Sequence, residues 1–171
     1  MFSQDERRFG LLTVRRRRLT ARGVQPRGAV PHGFEWFYVY GAVEPTTGAR
    51  FCLAWPYLNA QMFQRFGDAV AHTFPDSLNI LVLDNSGAHT SSQLTLPENV
   101  RLLFLPPYCP ELSPIERVWR DLKDDVAWLQ FANLDAQQDH LALLLQGYEA
   151  ATLRSLTGYP YLVEAIHALH V

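Results

Sequence analysis

The sequence contains only two cysteines, Cys52 and Cys109, and neither has a Cys-x-x-Cys partner. It therefore indicates neither a disulfide framework nor a cysteine-based zinc site, and it suits a reducing cytoplasm. No apolar run approaches the roughly 20 residues of a membrane-spanning helix, and the amino terminus shows no signal-peptide pattern. We expect a cytoplasmic protein with no membrane partner.

The sequence also lacks the net positive charge that is typical of nucleic-acid-binding proteins, since its formal net charge is −2 at pH 7. The charges are nevertheless divided unevenly along the chain. Residues 1–33 contain eight arginines against Asp5 and Glu6, a net charge of +6, whereas the rest of the chain has a net charge of −8. This asymmetry indicates a basic, DNA-facing arm on an acidic body, although a solvated arginine-rich hairpin explains it equally well.

The remaining composition is that of one globular domain, with 171 residues of which 48% are hydrophobic. Alternating apolar residues predict a β-hairpin from the segments Phe37–Val43 and Arg50–Trp55. Helical spacing predicts a helix over Asn59–Thr73, with its first residue as the cap. A long amphipathic helix is predicted from Asp135 through Leu153, and a short helix that ends at Leu169 follows it.

The most informative stretch begins with a short apolar run, Leu102–Leu105, that Pro106-Pro107 must end. This run predicts a buried strand, because proline cannot donate to a strand ladder. After a stiff loop, Ser113-Pro114 predicts a helix start, with serine as the cap and proline at the first helical position. The helix then has one apolar face, made by Ile115, Val118, Trp119, Leu122 and Val126.

Glu116 lies at the rim of that apolar face, where a carboxylate can point into a cleft. Ser113-x-x-Glu116 is also the pattern of a capping box, in which the glutamate bonds back to the cap residue. Taken alone, the four-residue motif favours capping, because capping boxes are common and catalytic carboxylates are rare.

A second carboxylate follows an unbroken apolar strand, Asn79-Ile-Leu-Val-Leu-Asp84. The residues from Asn85 to Val100 are long enough for a crossover to a parallel neighbouring strand. Asp84 is therefore expected at the carboxyl edge of a parallel sheet, where open α/β folds bind their ligands.

Asp84-Asn-Ser-Gly-Ala-His89, followed by Leu-Pro-Pro-Tyr-Cys-Pro-Glu-Leu-Ser-Pro-Ile-Glu116-Arg-Val-Trp-Arg-Asp-Leu-Lys123, resembles the second half of a bacterial insertion-sequence transposase. The family is the DDE superfamily, in its mariner-like branch. The resemblance implies an α/β fold, a ribonuclease-H-like mixed sheet flanked by helices. It also implies metal-dependent cleavage and strand transfer of DNA.

One departure from the family pattern is the short spacing, with thirty-one residues between Asp84 and Glu116. The shortage falls around Thr90 to Asn99. We therefore expect a short crossover helix between intact motif ends.

The resemblance assigns Asp5 as the first catalytic carboxylate, although its neighbour Glu6 must point to the opposite face of the same strand. Asp5, Asp84 and Glu116 are then the expected catalytic residues and the ligands of two Mg²⁺ or Mn²⁺ ions. In this hypothesis Asp5 bridges both ions, while Asp84 and Glu116 each hold one. Because chain ends fray, Asp5 is expected to be the least firmly held of the three.

Supporting roles fall to Asn85 and His89. The histidine either orients a carboxylate, touches the scissile phosphate, or only forms a hydrogen bond within the crossover. The arginine run is expected to contact DNA phosphates, because the guanidinium fork makes paired hydrogen bonds with them. The residues concerned are Arg15, Arg16, Arg17, Arg18 and Arg22.

Residues 1–171 are thus predicted to form a single catalytic domain that lacks the family's upstream helix-turn-helix region. Such a chain is expected to be a fragment, the second product of a split reading frame, or a decayed copy. The partners that the resemblance implies are DNA (transposon ends and target), a second copy in a homodimer, and an upstream DNA-binding polypeptide. The alternative function is a non-catalytic remnant or regulatory fragment that binds DNA, or an intact transposase, without cutting.

Overall fold

The computed structural model describes residues 1–12, 20–24, 33–107 and 109–168, apart from the side chain of Pro110. Within these residues, the fold is built on one mixed sheet of five strands in the spatial order β3-β2-β1-β4-β5. The strands are β1 (Phe2–Gly10), β2 (Trp36–Val43), β3 (Arg50–Trp55), β4 (Asn79–Leu83) and β5 (Val100–Phe104). The predicted hairpin is confirmed, since β2 and β3 pair antiparallel.

Five α-helices flank the sheet in the described part of the chain. They are α1 (Ala60–Thr73), α2 (Ile115–Asp125), α3 (Leu134–Gly147), α4 (Ala150–Thr157) and α5 (Pro160–Ala168), with a 3₁₀ turn at Pro110–Leu112 before α2. Helix α1 begins as predicted, because the Asn59 side chain accepts a hydrogen bond from the Met62 N–H at 2.9 Å. No helix in the described ranges is long and apolar enough to cross a membrane.

Strand β1 is the central strand and separates two hydrophobic clusters. One cluster packs the sheet against α2, α3 and α4, and it includes Phe9, Phe37, Val39, Ile115, Trp119, Leu122, Leu141 and Leu153. The other packs the opposite face against α1, and it includes Phe2, Tyr40, Phe63, Phe66, Val70, Leu81 and Leu83. Successive β1 residues point to alternate faces, so neighbouring side chains of this strand enter different environments.

The pairing of β1 with β4 sets the position of Asp84. The two strands are parallel, with Phe2 opposite Leu81 and Ser3 opposite Val82. Continuing that register by two residues brings Asp84, directly after the end of β4, level with Asp5. Strands β4 and β5 are also parallel, as the crossover length predicts.

The prediction of a buried strand after residue 101 is wrong. Strand β5 lies at the edge of the sheet, and only its first residue, Val100, is buried. Leu103 and Phe104 are 50% and 40% exposed. An apolar run cannot distinguish an edge strand from a central one, because that difference depends on neighbours supplied by the rest of the chain.

The predicted crossover helix is absent, since residues 84–99, all of them described, form turns and irregular structure only. The Ser86 carbonyl accepts backbone hydrogen bonds from His89 and Thr90, and the Asp84 side chain accepts one from the Ser86 N–H. Short polar side chains of this kind bond to nearby backbone and favour turns over helix.

The long carboxyl-terminal helix is also not continuous. Helix α3 ends at Gly147, Tyr148 has an extended backbone (φ −63°, ψ 124°), and α4 begins at Ala150. The Tyr148 hydroxyl donates a hydrogen bond to Asp121 of α2 at 2.6 Å, a tertiary contact that the local pattern does not contain. The break at Gly158-Tyr159 before the final helix is as predicted.

Candidate active site

Two adjacent carboxylates of the central strand turn to opposite faces of the sheet. Asp5 faces α2, where the Trp119 indole N–H donates a hydrogen bond to its Oδ2 at 2.9 Å. Glu6 faces the α1 side, where both of its carboxylate oxygens contact His89 Nε2, at 3.1 and 3.2 Å. The sequence prediction that these two acids point apart is confirmed by their contacts.

The indole reaches Asp5 because Gly41 leaves room for it. Gly41 pairs with Asp5 across β1 and β2. A Cβ atom at Gly41 would lie 2.5 Å from the outer edge of the Trp119 ring, closer than side-chain carbons approach. Trp119 itself is only 1% exposed, so its ring is fixed in the core beneath the carboxylate.

Glu116 lies in the first turn of α2, on the same face of the sheet as Asp5. Its carboxylate accepts a 3.5 Å hydrogen bond from Arg7 Nη1, and both side chains are about one third exposed (Arg7 35%, Glu116 34%). Helix α2 begins at Ile115 with Pro114 at the cap position, and no side chain caps it. The capping-box interpretation of Glu116 and the assignment of Ser113 as cap are therefore wrong.

Burial and the negative charges of neighbouring carboxylates raise the pKa of Asp5 to about 7, well above the ordinary value for an aspartate. Burial is the largest cause, and the negative charges of Glu6 and Glu116 add to it. The hydrogen bond from Trp119 acts in the opposite direction but does not offset these effects. Asp5 is thus a buried carboxylate with two other carboxylates nearby.

Asp5 is also better held than predicted. It lies inside the central strand and accepts the Trp119 hydrogen bond, whereas the Asp84 side chain, past the end of β4, is 64% exposed. The expectation that Asp5 is the least firmly held carboxylate is wrong, because strand pairing ties down this end of the chain.

The Asp84 side chain forms its hydrogen-bond contacts with groups of its own loop, and not with Asp5 or Glu116. Its Oδ1 accepts a hydrogen bond from the Ser86 N–H and contacts His89 Nδ1, both at 2.9 Å. The structure therefore brings Asp5 and Glu116 onto one face and places Asp84 one strand away at the same level. Asn85 ties the ends of β4 and β5 together, since its side-chain amide donates to the Leu105 carbonyl at 2.7 Å.

Sequence reasoning left Glu6, Arg7 and Trp119 out of the site. The resemblance selects Asp5 for the cleft, and Glu6 points to the opposite face as predicted, where it lies against His89. The adjacent Asp5-Glu6 pair is the available signal for Glu6. Trp119 is predicted in the apolar face of α2, and Arg7 has no distinguishing pattern.

Arg15 to Arg18 lie outside the described residues, so their role as phosphate contacts stays a prediction. Arg22 is described and exposed in a short turn, and its assignment stays a prediction as well.

Among the described residues, no three or more His, Cys, Asp or Glu side chains are already grouped so that they could hold a metal ion. The donor chemistry nevertheless fits a hard divalent cation. Magnesium prefers oxygen ligands, keeps several waters, and uses one or two carboxylates together with substrate phosphates. Asp5, buried and close to other carboxylates, and the nearby Glu116 meet that requirement.

Comparisons with known proteins agree on one family. A family model described as DDE superfamily endonuclease matches residues 1–138. The uncharacterized protein y4pE/y4sA of Sinorhizobium fredii is 37% identical over 95 residues, which are 55% of this chain and 69% of that protein. The insertion element IS630 uncharacterized 39 kDa protein of Shigella sonnei is 30% identical over 110 residues, 61% of this chain and 32% of that protein.

Solved structures show the fold. The Mos1 transposase paired-end complex with left transposon end matches with a TM-score of 0.69 at 16% identity, over 92% of this chain and 51% of that one. A Mos1 mariner paired end complex with Mn matches with a TM-score of 0.70 and the same identity and coverage. The chain thus spans about half the length of the Mos1 transposase, and the predicted ribonuclease-H-like fold is confirmed.

Proposed function

The chain belongs to the DDE superfamily endonucleases, in the group that contains insertion-sequence transposases, and on this basis we propose that it cleaves DNA strands and transfers them. Asp5, Asp84 and Glu116 are the proposed catalytic carboxylates, and Mg²⁺ or Mn²⁺ is the proposed cofactor, as two ions.

The observation that carries this proposal is the convergence of Asp5 and Glu116. They come from strand β1 and helix α2, more than a hundred residues apart, and they lie close enough that the charge of Glu116 raises the pKa of Asp5. Asp84, directly after the end of β4 and level with Asp5 in the β1–β4 register, is the proposed third carboxylate. Like charges gathered in a partly buried place repel one another, and a divalent cation relieves that repulsion.

When bound, the divalent cations would supply Lewis-acid polarisation of the phosphate and a lower pKa for the attacking water or 3′-hydroxyl. The residues that would hold them are Asp5, Asp84 and Glu116. Trp119 fixes one oxygen of Asp5 in place. This arrangement keeps the carboxylate oriented before substrate arrives, which is the condition for electrostatic preorganisation.

Arg7 is the group on this face suited to contact a DNA phosphate. Its 3.5 Å hydrogen bond with Glu116 is long and partly exposed, so it adds little stability, about 0–1 kcal/mol. A phosphate offers the guanidinium a paired, charge-assisted contact in exchange. In this proposal Arg7 moves from Glu116 to the phosphate when DNA binds, and Glu116 becomes available to the cation.

The proposed substrates are transposon-end DNA and target DNA. The Mos1 transposase is solved with a left transposon end, and a related Mos1 complex contains Mn. A homodimer on DNA and an upstream DNA-binding polypeptide complete the proposed assembly, with Arg15 to Arg18 and Arg22 as phosphate contacts. Each of these partners is a proposal for this chain.

The test is nicking of labelled duplex DNA in Mn²⁺ by the full chain, compared with Asp84→Asn and Glu116→Gln. We expect each variant to lose at least about 10²-fold in rate, since it removes a charge that acts on the developing transition state. Asp76→Asn is the matched control, because Asp76 is exposed in the turn before β4. Equal cleavage by Asp84→Asn and the unmodified chain would overturn the assignment. Mn²⁺ binding without any cleavage would favour the non-catalytic alternative.

A further inference from the structure

A continuous chain of hydrogen-bond contacts runs from Glu6 through His89, both on the side of the sheet away from α2, to Asp84 directly after the end of β4. His89 Nε2 contacts the Glu6 carboxylate at 3.1 and 3.2 Å. His89 Nδ1 contacts Asp84 Oδ1 at 2.9 Å and the Asp84 main-chain oxygen at 3.2 Å. Asp84 and His89 belong to the loop after β4, and Glu6 comes from β1, 83 residues before His89, so the fold and not local sequence brings Glu6 to them.

Every partner of the imidazole ring is an oxygen acceptor. Each ring nitrogen thus faces a carboxylate, Nε2 towards Glu6 and Nδ1 towards Asp84. A histidine held between two carboxylates in this way has its ring orientation fixed from both ends. The arrangement matches the outer contacts of metal sites, in which ligating groups are themselves hydrogen-bonded and thereby oriented.

The inner members of this chain cannot easily move. The side chains of His89 and Glu6 are 1% and 4% exposed, whereas that of Asp84 is 64% exposed. The Phe63 ring packs against the imidazole with centroids 4.4 Å apart. Gln4 donates a 2.7 Å hydrogen bond to Glu6 Oε1, and this contact fixes Glu6, the residue at the opposite end of the chain from Asp84.

Both hydrogen bonds given to the Asp84 carboxylate within the described residues end on Oδ1, from Ser86 and from His89. We propose that Glu6 and His89 are positioning residues that fix Oδ1 of Asp84 and leave Oδ2 to bind a divalent cation. Glu6 thus serves the site from the opposite face of the sheet, through the imidazole, without contacting the cation. This inference rests on the proposed function, because it takes Asp84 as a metal ligand.

If the contacts of Glu6 and His89 had a purely structural role, substituting either residue would lower the stability of the protein only. The test must therefore measure metal affinity separately from stability. We would titrate the full chain with Mn²⁺ alone and follow free Mn²⁺ by electron paramagnetic resonance. Loss of outer contacts of this kind weakens metal affinity by about 10–100-fold. We expect an increase of that size in the Mn²⁺ Kd for His89→Gln and for Glu6→Gln, with melting temperatures measured in parallel. His72→Gln, at an exposed histidine of α1, is the matched control and should leave the Kd unchanged.

The double variant, Glu6→Gln with His89→Gln, should recover part of the Mn²⁺ affinity, an effect that loss of packing alone does not predict. In His89→Gln the new amide can donate to Asp84, but its oxygen then faces the Glu6 carboxylate, and two acceptors meet. Adding Glu6→Gln supplies a donor at that point and restores a hydrogen-bonded chain to Asp84. We expect the double variant to bind Mn²⁺ more tightly than His89→Gln alone.

The outcomes separate this inference from the proposed function. If Asp84→Asn leaves the Mn²⁺ Kd unchanged, Asp84 is not a ligand, and both proposals fall. If Asp84→Asn raises the Kd while folded His89→Gln and Glu6→Gln do not, the positioning role alone is overturned. Weaker binding in both single variants, with recovery in the double variant, supports it.

Discussion

The two faces of strand β1 give its neighbouring carboxylates, Asp5 and Glu6, different environments. Glu6 is buried on the α1 side with donors at both oxygens, from His89 and Gln4. Asp5 is held on the α2 side by one neutral indole donor and lies near Glu116, and its pKa is raised to about 7. Glu6 thus has donors at both carboxylate oxygens, whereas Asp5 shares the α2 face with a second carboxylate, Glu116, whose contact with Arg7 is long and partly exposed. The face with two neighbouring carboxylates is the one that suits an external cation.

The largest expected effect comes from removing the negative charge of Asp5 or of Glu6, one at a time. Asp5→Asn removes a buried carboxylate that lies near two others, so it should raise the melting temperature of the metal-free protein and abolish its rise with Mn²⁺. Glu6→Gln should lower the metal-free melting temperature, because it weakens a buried, charge-assisted contact with His89. Thermal unfolding with and without Mn²⁺ checks both. Similar behaviour of the two variants would remove the contrast between the faces.

The second prediction concerns the glycine that admits the indole. Gly41→Ala places a methyl group 2.5 Å from the Trp119 ring, and overpacking of this kind costs about 1–3 kcal/mol. The displaced indole should also lose its hydrogen bond to Asp5, so DNA cleavage should fall by more than the loss of folded protein explains.

Gly67→Ala is the matched control for that change. Gly67 is in helix α1, and a Cβ there would meet nothing within 4 Å. Alanine in a helix is more favourable than glycine by about 0.5–1 kcal/mol, so this variant should be more stable. Urea unfolding of both variants tests the opposite signs, and a stabilised Gly41→Ala would show that the ring is not confined as described.

The third prediction uses a buried acid outside the site. Glu44 accepts hydrogen bonds from Thr46 and Thr47 in the β2–β3 turn. Burial acts to raise its pKa, but these hydrogen bonds outweigh it, and the pKa is lowered. The folded-state pKa therefore lies below the unfolded one, so the stabilisation is complete above the unfolded pKa of about 4.3. It is lost as the pH falls through the folded pKa.

Glu44→Gln should accordingly flatten the dependence of stability on pH below about pH 5. Unfolding free energies of the variant and the unmodified chain, measured between about pH 3 and 7, provide the comparison. Glu98→Gln, at an exposed glutamate before β5, is the control. An unchanged pH profile for Glu44→Gln would show that the turn does not hold its carboxylate in the ionised form.

The smallest expected effect on stability is that of Arg7→Gln. Its contact with Glu116 is long and partly exposed, so the free energy of unfolding should change by less than about 1 kcal/mol. DNA binding should weaken nonetheless, and the dependence of affinity on salt should become less steep, because one phosphate contact is lost. Fluorescence anisotropy at several salt concentrations measures this. Unchanged affinity and salt slope would place Arg7 outside the DNA interface.

The sequence predicted most of the fold where the signal was local or carried by a long motif. The β2–β3 hairpin, helix α1 with its Asn59 cap, and the strand leading to Asp84 were confirmed. The failures have two causes. Exposure of β5 and the break at Tyr148 depend on tertiary neighbours, such as the hydrogen bond from Tyr148 to Asp121. The missing crossover helix is a local effect, because short polar side chains there bond to nearby backbone and favour turns.

For the site, the sequence identified three carboxylates, and the structure places two on one face and the third at the same level. The prediction could not assign Glu6, because strand alternation shows only that it faces away from Asp5. What it meets on that face is a histidine 83 residues later in the chain. Contacts between such distant residues are set by register and packing, which a single sequence does not display.

The most direct test of the account is a crystal structure of the full chain soaked in Mn²⁺, with the metal located by its anomalous signal. The account predicts manganese bound by Asp5 and Glu116 on the α2 face, with Asp84 Oδ2 as a further ligand and His89 still bound to Oδ1. Manganese bound on the opposite face by Glu6, or absent from Asp5 and Glu116, would contradict it.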